Sequence, residues 1–202
     1  MGSLLRILGL LLLAVIPVSG YGLAWEQSAD AAYLSSGNLK AFKQVIQNDK
    51  EDKYKNPDLI LEALPTAISS GNVELVKYLA SLGWLEVCSK DEFCKPIHVA
   101  ALYGRVGVIK FLVSRGFDVK AIDVRGSTPL HHAAEMGHIA VTMYLCEQGV
   151  DYKAVDRRGA TALDEAKVAA QGRVLDPKEN ARRSANLARV IEYLESGQCK
   201  KK

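Results

Sequence analysis

Thr128-Pro129-Leu130-His131, followed by Ala133-Ala134 and Gly137, recurs along this chain at a fixed interval. Thirty-three residues earlier the same slots hold Lys95-Pro96-Ile97-His98, Ala100-Ala101 and Gly104. Thirty-three residues later they hold Thr161-Ala162-Leu163-Asp164 and Ala166. Gly71 extends the glycine series one period towards the N-terminus, and 12 residues beyond Gly71, Gly104 and Gly137 stand Gly83, Gly116 and Gly149. Between the members of each pair runs one apolar pattern: Val73-Val76-Leu79, Val106-Ile109-Leu112 and Ile139-Thr142-Leu145. A spacing of three predicts a helix between each pair of glycines. A glycine at a helix end admits φ > 0 and turns the chain sharply. The proline near the start of the preceding segment suits a first helical turn, where a missing N–H costs little.

A 33-residue period carrying T-P-L-H-x-A resembles the ankyrin-repeat family, whose unit is a β-turn and two helices. The resemblance runs from about residue 28 to residue 196 and is strongest from Lys95 to Leu163. It implies an all-α ankyrin-repeat solenoid of about five repeats, helix-turn-helix units with β-hairpin fingers. It also implies that His98 and His131, in one shared slot, are framework residues whose imidazoles hydrogen-bond the neighbouring T-P-L-H turn.

With 202 residues, 49% hydrophobic and 24% charged, the chain suits one globular domain. A formal charge of +3 with acids and bases interspersed leaves no concentrated basic face, so nucleic acid is not an expected partner. Residues 1–24 differ in kind: Arg6 is their only charge, and Ile7 to Val18 is an almost unbroken apolar run with Pro17 near its end. This is the layout of a cleaved signal peptide, with the cut before Trp25 or before Tyr21. Its competitor is an uncleaved signal anchor, since Ile7 to Ala24 carries no charge. Both readings place the repeats outside the cytoplasm. The expected location is therefore the periplasm, with secretion or anchoring as alternatives.

The expected organisation is a signal peptide (1–24), a degenerate N-terminal capping repeat with a connector (25–56), ankyrin repeats (57–170), an inserted loop with a C-terminal capping helix (171–196), and a basic tail (197–202). Leu39, Phe42, Val45 and Ile46 give the first repeat its apolar helical face. Leu64-Pro65 stands where Leu-His is expected in the second. In the fifth, Ala170 replaces the glycine, and a new helix is predicted from Asp176-Pro177-Lys178-Glu179, with Leu187, Val190, Ile191 and Leu194 as its buried stripe.

In an exported chain the cysteines are read in an oxidising setting. Cys88 and Cys94 flank the Lys90-Asp91-Glu92-Phe93 turn, which lacks the Asp-x-x-Gly of Asp123–Gly126 and Asp156–Gly159. A Cys88–Cys94 disulfide across the base of this finger is expected, two reduced thiols being the alternative. Cys146, in the slot of Val113, reads as a small buried hydrophobe. Cys199, in the basic tail, reads as a free or intermolecular thiol. Trp84, just after Gly83, reads as packing between finger and helices.

Catalysis is not expected. There is no nucleophile elbow, phosphate loop or Cys-x-x-Cys, and His98 and His131, on stacked helices about 10 Å apart, are too distant to share a zinc. His131 and Glu135 lack a third ligand, so neither metal nor cofactor is expected. What remains is surface: the extended concave face that such solenoids present. Its candidate partner-binding residues are the finger tips Asp91, Glu92 and Phe93, then Val124 and Arg125, then Arg157 and Arg158, with Leu102, Tyr103, Glu135, Met136 and Glu165 from the inner helices. Arg125 and Arg158, one period apart, are expected to form a basic ladder. The chain also resembles small exported ankyrin proteins of Gram-negative bacteria, some of which block cell-wall or lipid-cleaving enzymes. That resemblance implies a non-catalytic protein-binding module, monomeric when unbound, that inhibits a periplasmic enzyme such as a hydrolase. The alternatives are an accessory, chaperone-like stress protein or a secreted effector that binds host proteins.

Overall fold

The computed structural model describes residues 36, 38–47, 55, 57–90, 95–172 and 177–199. Residues 1–24, read above as a signal peptide, the tips Asp91, Glu92 and Phe93, Cys94 and the Asp176 cap lie outside them. The described helices are α1 (Leu39–Gln47), α2 (Pro57–Ser70), α3 (Val73–Ser81), α4 (Trp84–Lys90), α5 (Pro96–Leu102), α6 (Val106–Ser114), α7 (Pro129–Glu135), α8 (Ile139–Glu147), α9 (Ala162–Gln171) and α10 (Pro177–Glu195).

Two layers result. The inner helices α2, α5, α7 and α9 stack in sequence, and α3, α6 and α8 form the outer row. Buried alanine pairs, Ala100-Ala101 and Ala133-Ala134, lie on the inner helices. Leu75, Leu79, Ile109, Leu112 and Leu145 fill the outer layer with no exposed surface. This is the 33-residue apolar pattern read as a continuous core. Gly104 shows why the glycine slot is strict. Its φ is +70°, and a Cβ there would lie 2.7 Å from Nδ1 of His138.

The second and third repeats are joined differently from the later ones. Cys88 sits in helix α4, not in a hairpin finger as expected. Trp84, Leu85 and Cys88 are buried and spaced to share a helical face, which holds this stretch helical. Trp84 meets Phe42 of α1 edge-on at 6.1 Å, so it clamps the first helix instead of lying under a finger. Helix α2 runs through Pro65 back to Pro57 instead of starting at the usual proline slot. At the other end α9 continues to Gln171, because Ala170 does not end it.

The fingers are also simpler than β-hairpins. Among the described residues there is a single antiparallel bridge, Val155 with Thr161, and no strand. Each finger is closed by one pair across a turn, Asp123 N–H to Ser127 O (3.0 Å) and Asp156 N–H to Ala160 O (2.9 Å).

Helix α10 covers the C-terminal end, burying Leu187, Val190 and Leu194 and packing on α9, α8 and α7. Two sequence expectations fail here together. Cys146 is not a free hydrophobe and Cys199 is not a spare thiol: they form a disulfide, with Cα atoms 4.9 Å apart. The turn after α10 brings Cys199 back onto α8, a contact that 53 residues of separation hide from local pattern. Cys88 is also disulfide-bonded, and its expected partner Cys94 lies outside the described residues.

The cap of α5 is incomplete. On α7 the Thr128 N–H donates to Nδ1 of His131 (3.1 Å), and on α9 Thr161 and Asp164 cap reciprocally. Lys95 stands in the threonine slot of α5 with no side-chain cap, and the buried Nδ1 of His98 has no hydrogen-bond partner among the described residues. Lys95→Thr is expected to raise stability by about 1 kcal/mol, the worth of a typical N-cap. Urea denaturation of the two proteins checks it, and an unchanged midpoint would mean that the cap geometry does not re-form.

Candidate protein-binding face

Each finger is built on a buried or half-buried aspartate. Asp123 Oδ1 accepts the N–H groups of Arg125 (2.8 Å) and Ser127 (2.9 Å). Asp156 repeats this with Arg158 (2.8 Å) and Ala160 (3.0 Å). Burial works to raise the Asp123 carboxyl, but hydrogen bonds from His132, Ser127 and Arg125 outweigh it and hold the group well below the ordinary range. Neighbouring fingers are joined by the Arg157 N–H to Arg125 O (2.9 Å).

Framework histidines hold the fingers to the helices. Nε2 of His98 donates to Ser127 O and Nε2 of His131 to Ala160 O, both at 3.1 Å, each reaching the finger turn of the following repeat. A second ladder lies at the other end of the inner helices. Arg105 Nε donates to Ser69 O (2.7 Å) and His138 Nε2 to Leu102 O (2.9 Å), again one period apart.

Burial first, then the neighbouring His132, pushes His98 down from 6.5 to about 4, and burial also lowers His138. A base whose folded pKa is depressed stays neutral in the fold while the unfolded chain takes up a proton. Stability is therefore expected to be full above pH 6.5 and to decline as pH falls towards 4, by on the order of 2 kcal/mol at pH 5 from His98 alone. Urea midpoints at pH 7.5 and 5 test this. His98→Gln should flatten the slope, and an equal slope in the variant would remove His98 as its cause.

The expected basic ladder is folded inwards. Arg158 Nε donates to Asp156 Oδ2 (3.0 Å) and its Nη2 to Glu165 of α9. Arg125 lies 3.6 Å from Asp123 Oδ2 and against the ring of His132. The guanidinium of Arg157 has no ion-pair partner among the described residues. These contacts place tips and inner helices on one side of the molecule: Asp156, Glu165 and then Glu135 all stabilise the Arg158 charge.

Beside these arginines, exposed apolar groups recur from repeat to repeat. Tyr103 and Met136, one period apart after α5 and α7, are 38% and 39% exposed. Ile122 and Val155, also one period apart, are 62% and 56% exposed, with Val124 beside them and Val168 on α9. Sequence reading found Tyr103 and Met136 but passed over Ile122, Val155 and Val168, although a repeated exposed aliphatic was a readable signal. It also passed over His132. Asp91, Glu92 and Phe93 lie outside the described residues. A cavity of about 380 Å³ opens between α4 and the start of α5, lined by Glu86, Lys95, His98, Arg115 and Phe117 among others. No group of three or more His, Cys, Asp or Glu among the described residues could hold a metal.

Residues 29–123 match the family described as ankyrin repeats (three copies), and residues 125–157 match the ankyrin repeat. The chain belongs to the ankyrin-repeat family. Ankyrin repeats indicate a protein–protein interaction module, and the family is generally non-catalytic. The matched span holds every finger and inner-helix end described above up to Arg157, while α9 and α10 follow it. No curated protein matches this ankyrin chain.

Proposed function

We propose that this ankyrin solenoid is an exported, non-catalytic module that captures one folded protein on the face made by its fingers and inner-helix ends. The observation that carries the reading is a set of exposed apolar pairs one period apart, Tyr103 with Met136 at the inner-helix ends and Ile122 with Val155 in the fingers. Exposed aromatic, methionine and aliphatic groups grouped on one surface are characteristic of docking sites. Arg157 at the tip adds a cation with no ion-pair partner among the described residues, which favours an acidic rim on the partner. Export is supported by cysteine chemistry as well as by the apolar leader. Cys88, Cys146 and Cys199 are all disulfide-bonded, the state of an oxidising compartment.

Within that reading the partner is an exported enzyme, such as a periplasmic hydrolase, and capture blocks its activity. Affinity capture from an exported-protein fraction, with Met136→Asp as control, tests it. One enzyme retained by the wild type, lost by the control and inactivated in a one-to-one complex supports inhibition. Broad suppression of aggregation without a stoichiometric partner would replace it with an accessory role. Accumulation of the protein in the medium would replace it with an effector role.

A further inference from the structure

One cleft recurs with the repeat. The cavity of about 380 Å³ beside α5 is lined by Lys95, Phe117 and Ala121, and a second of about 210 Å³ by Thr128, Val150 and Ala154, the same slots 33 residues on. Each lies where the start of an inner helix meets the turn after its outer partner, α5 with α6 and α7 with α8. Helices α5 and α7 stack, so the two clefts follow one another along the solenoid at about 10 Å. Neither is lined by Tyr103 or Met136, which makes this groove separate from the inner-helix ends.

The walls are apolar and the uncommitted charges are positive. Leu85, Ile97 and Phe117 line the larger cleft, and Ile122 and Val150 the smaller. The acids beside them are engaged. Glu86 pairs with Arg115 at 3.3 Å, and Asp118 and Asp151 accept the backbone N–H groups of Lys120 (2.8 Å) and Lys153 (3.0 Å). Lys95 in one cleft and Lys120 in the other have no ion-pair partner among the described residues. Lys95 also stands against the framework. It displaces the capping threonine of the later repeats and leaves the buried Nδ1 of His98 without a hydrogen-bond partner among the described residues. A departure that weakens the framework beside the larger cleft is what a binding site retains.

We propose that the two clefts form one groove for an extended, acidic segment of a second protein, which seats an apolar side chain in each and sets a carboxylate against Lys95. The interval selects the conformation. In a polyproline II chain residues i and i+3 lie on one face about 9 Å apart, which matches the repeat. In a β-strand same-face residues are about 7 Å apart, which does not. The larger cleft lies within the range of small-ligand sites, roughly 300–1,000 Å³, and the smaller takes a single side chain.

The experiment is fluorescence anisotropy of a labelled peptide of Leu-Pro-Glu triplets titrated with the purified full chain. Its leucines recur at i and i+3, and its prolines exclude a helix. Saturable binding is expected, with none for Ser-Pro-Glu or Leu-Pro-Lys triplets and weaker binding when the leucines are four residues apart. Lys95→Thr should weaken binding roughly threefold to fivefold, the upper range of an exposed ion pair, and Lys95→Glu at least about tenfold. Because Lys95→Thr is expected to gain stability, its loss of affinity is not a folding defect. Lys120→Ser, at an exposed position in the second cleft, should also weaken binding. No saturable binding, equal affinity for the Leu-Pro-Lys peptide, or affinity unchanged in both lysine-removing variants overturns the proposal. Tyr103→Ala/Met136→Ala should bind the peptide as the wild type does, and loss there would also overturn it. Failure to find a folded partner leaves this result standing and counts only against the function proposed above.

Discussion

Cys146→Val/Cys199→Ala is expected to lower the folding free energy by about 4 kcal/mol, the entropy returned to the unfolded chain when a link across 53 residues is cut. Valine at 146 reproduces the slot occupied by Val113 on α6, so loss of core volume does not confound the measurement. For a domain of this size the melting midpoint should fall by roughly 10 °C. The loss should concentrate in α10, whose Leu187, Val190 and Leu194 would be held by packing alone. Hydrogen exchange in Pro177–Glu195 should then become faster than in α5 or α7. An unchanged midpoint would show that α10 docks without its covalent tie and that the disulfide is incidental to stability.

Trp84→Ala is expected to cost about 3–5 kcal/mol, the range for truncating a large buried aromatic. Trp84 is fully enclosed and meets Phe42, itself without exposed surface, so its removal opens the joint between α1 and the repeats. Amides of Leu39–Gln47 should lose protection before the rest of the molecule unfolds. Trp84→Phe, which copies Phe117 in the same slot, should retain most of the stability. If α1 keeps its protection in the alanine variant, Phe42 is anchored by other contacts and Trp84 is not the clamp.

Both residues illustrate what local pattern conveys. Repeating features were readable because one slot has one environment: the glycine at 104, the alanines at 100–101 and 133–134, and the histidines at 98 and 131 occupy equivalent places in successive repeats. The stripe of α10 was readable from its 3.6-residue period. Features that break the period were not. Helix α4 forms over Trp84–Lys90 because Trp84, Leu85 and Cys88 must be buried, a demand set by α1 and α2 and not by the segment's own turn residues. The Cys146–Cys199 bond joins segments with no local signal for each other.

The proposed binding face divides in the same way. Tyr103 and Met136 stood out as bulky groups at helix ends and are exposed there. The arginine ladder was the natural reading of Arg125 and Arg158, since tip charges face water. It missed that Asp123 and Asp156, needed to close each finger, also attract the arginine two residues on. The inner-helix residue in the slot after, His132 or Glu165, completes the hold.

The most direct test of the account is the dissociation constant of the captured partner for the wild type and for Tyr103→Ala/Met136→Ala. Truncating two central anchors of an interface should weaken binding by at least about 30-fold, some 2 kcal/mol, with the melting temperature little changed. Equal affinity in the two proteins, with a loss instead on substituting exposed outer-row residues such as Met143, would contradict the account and move the binding surface to the opposite side of the solenoid.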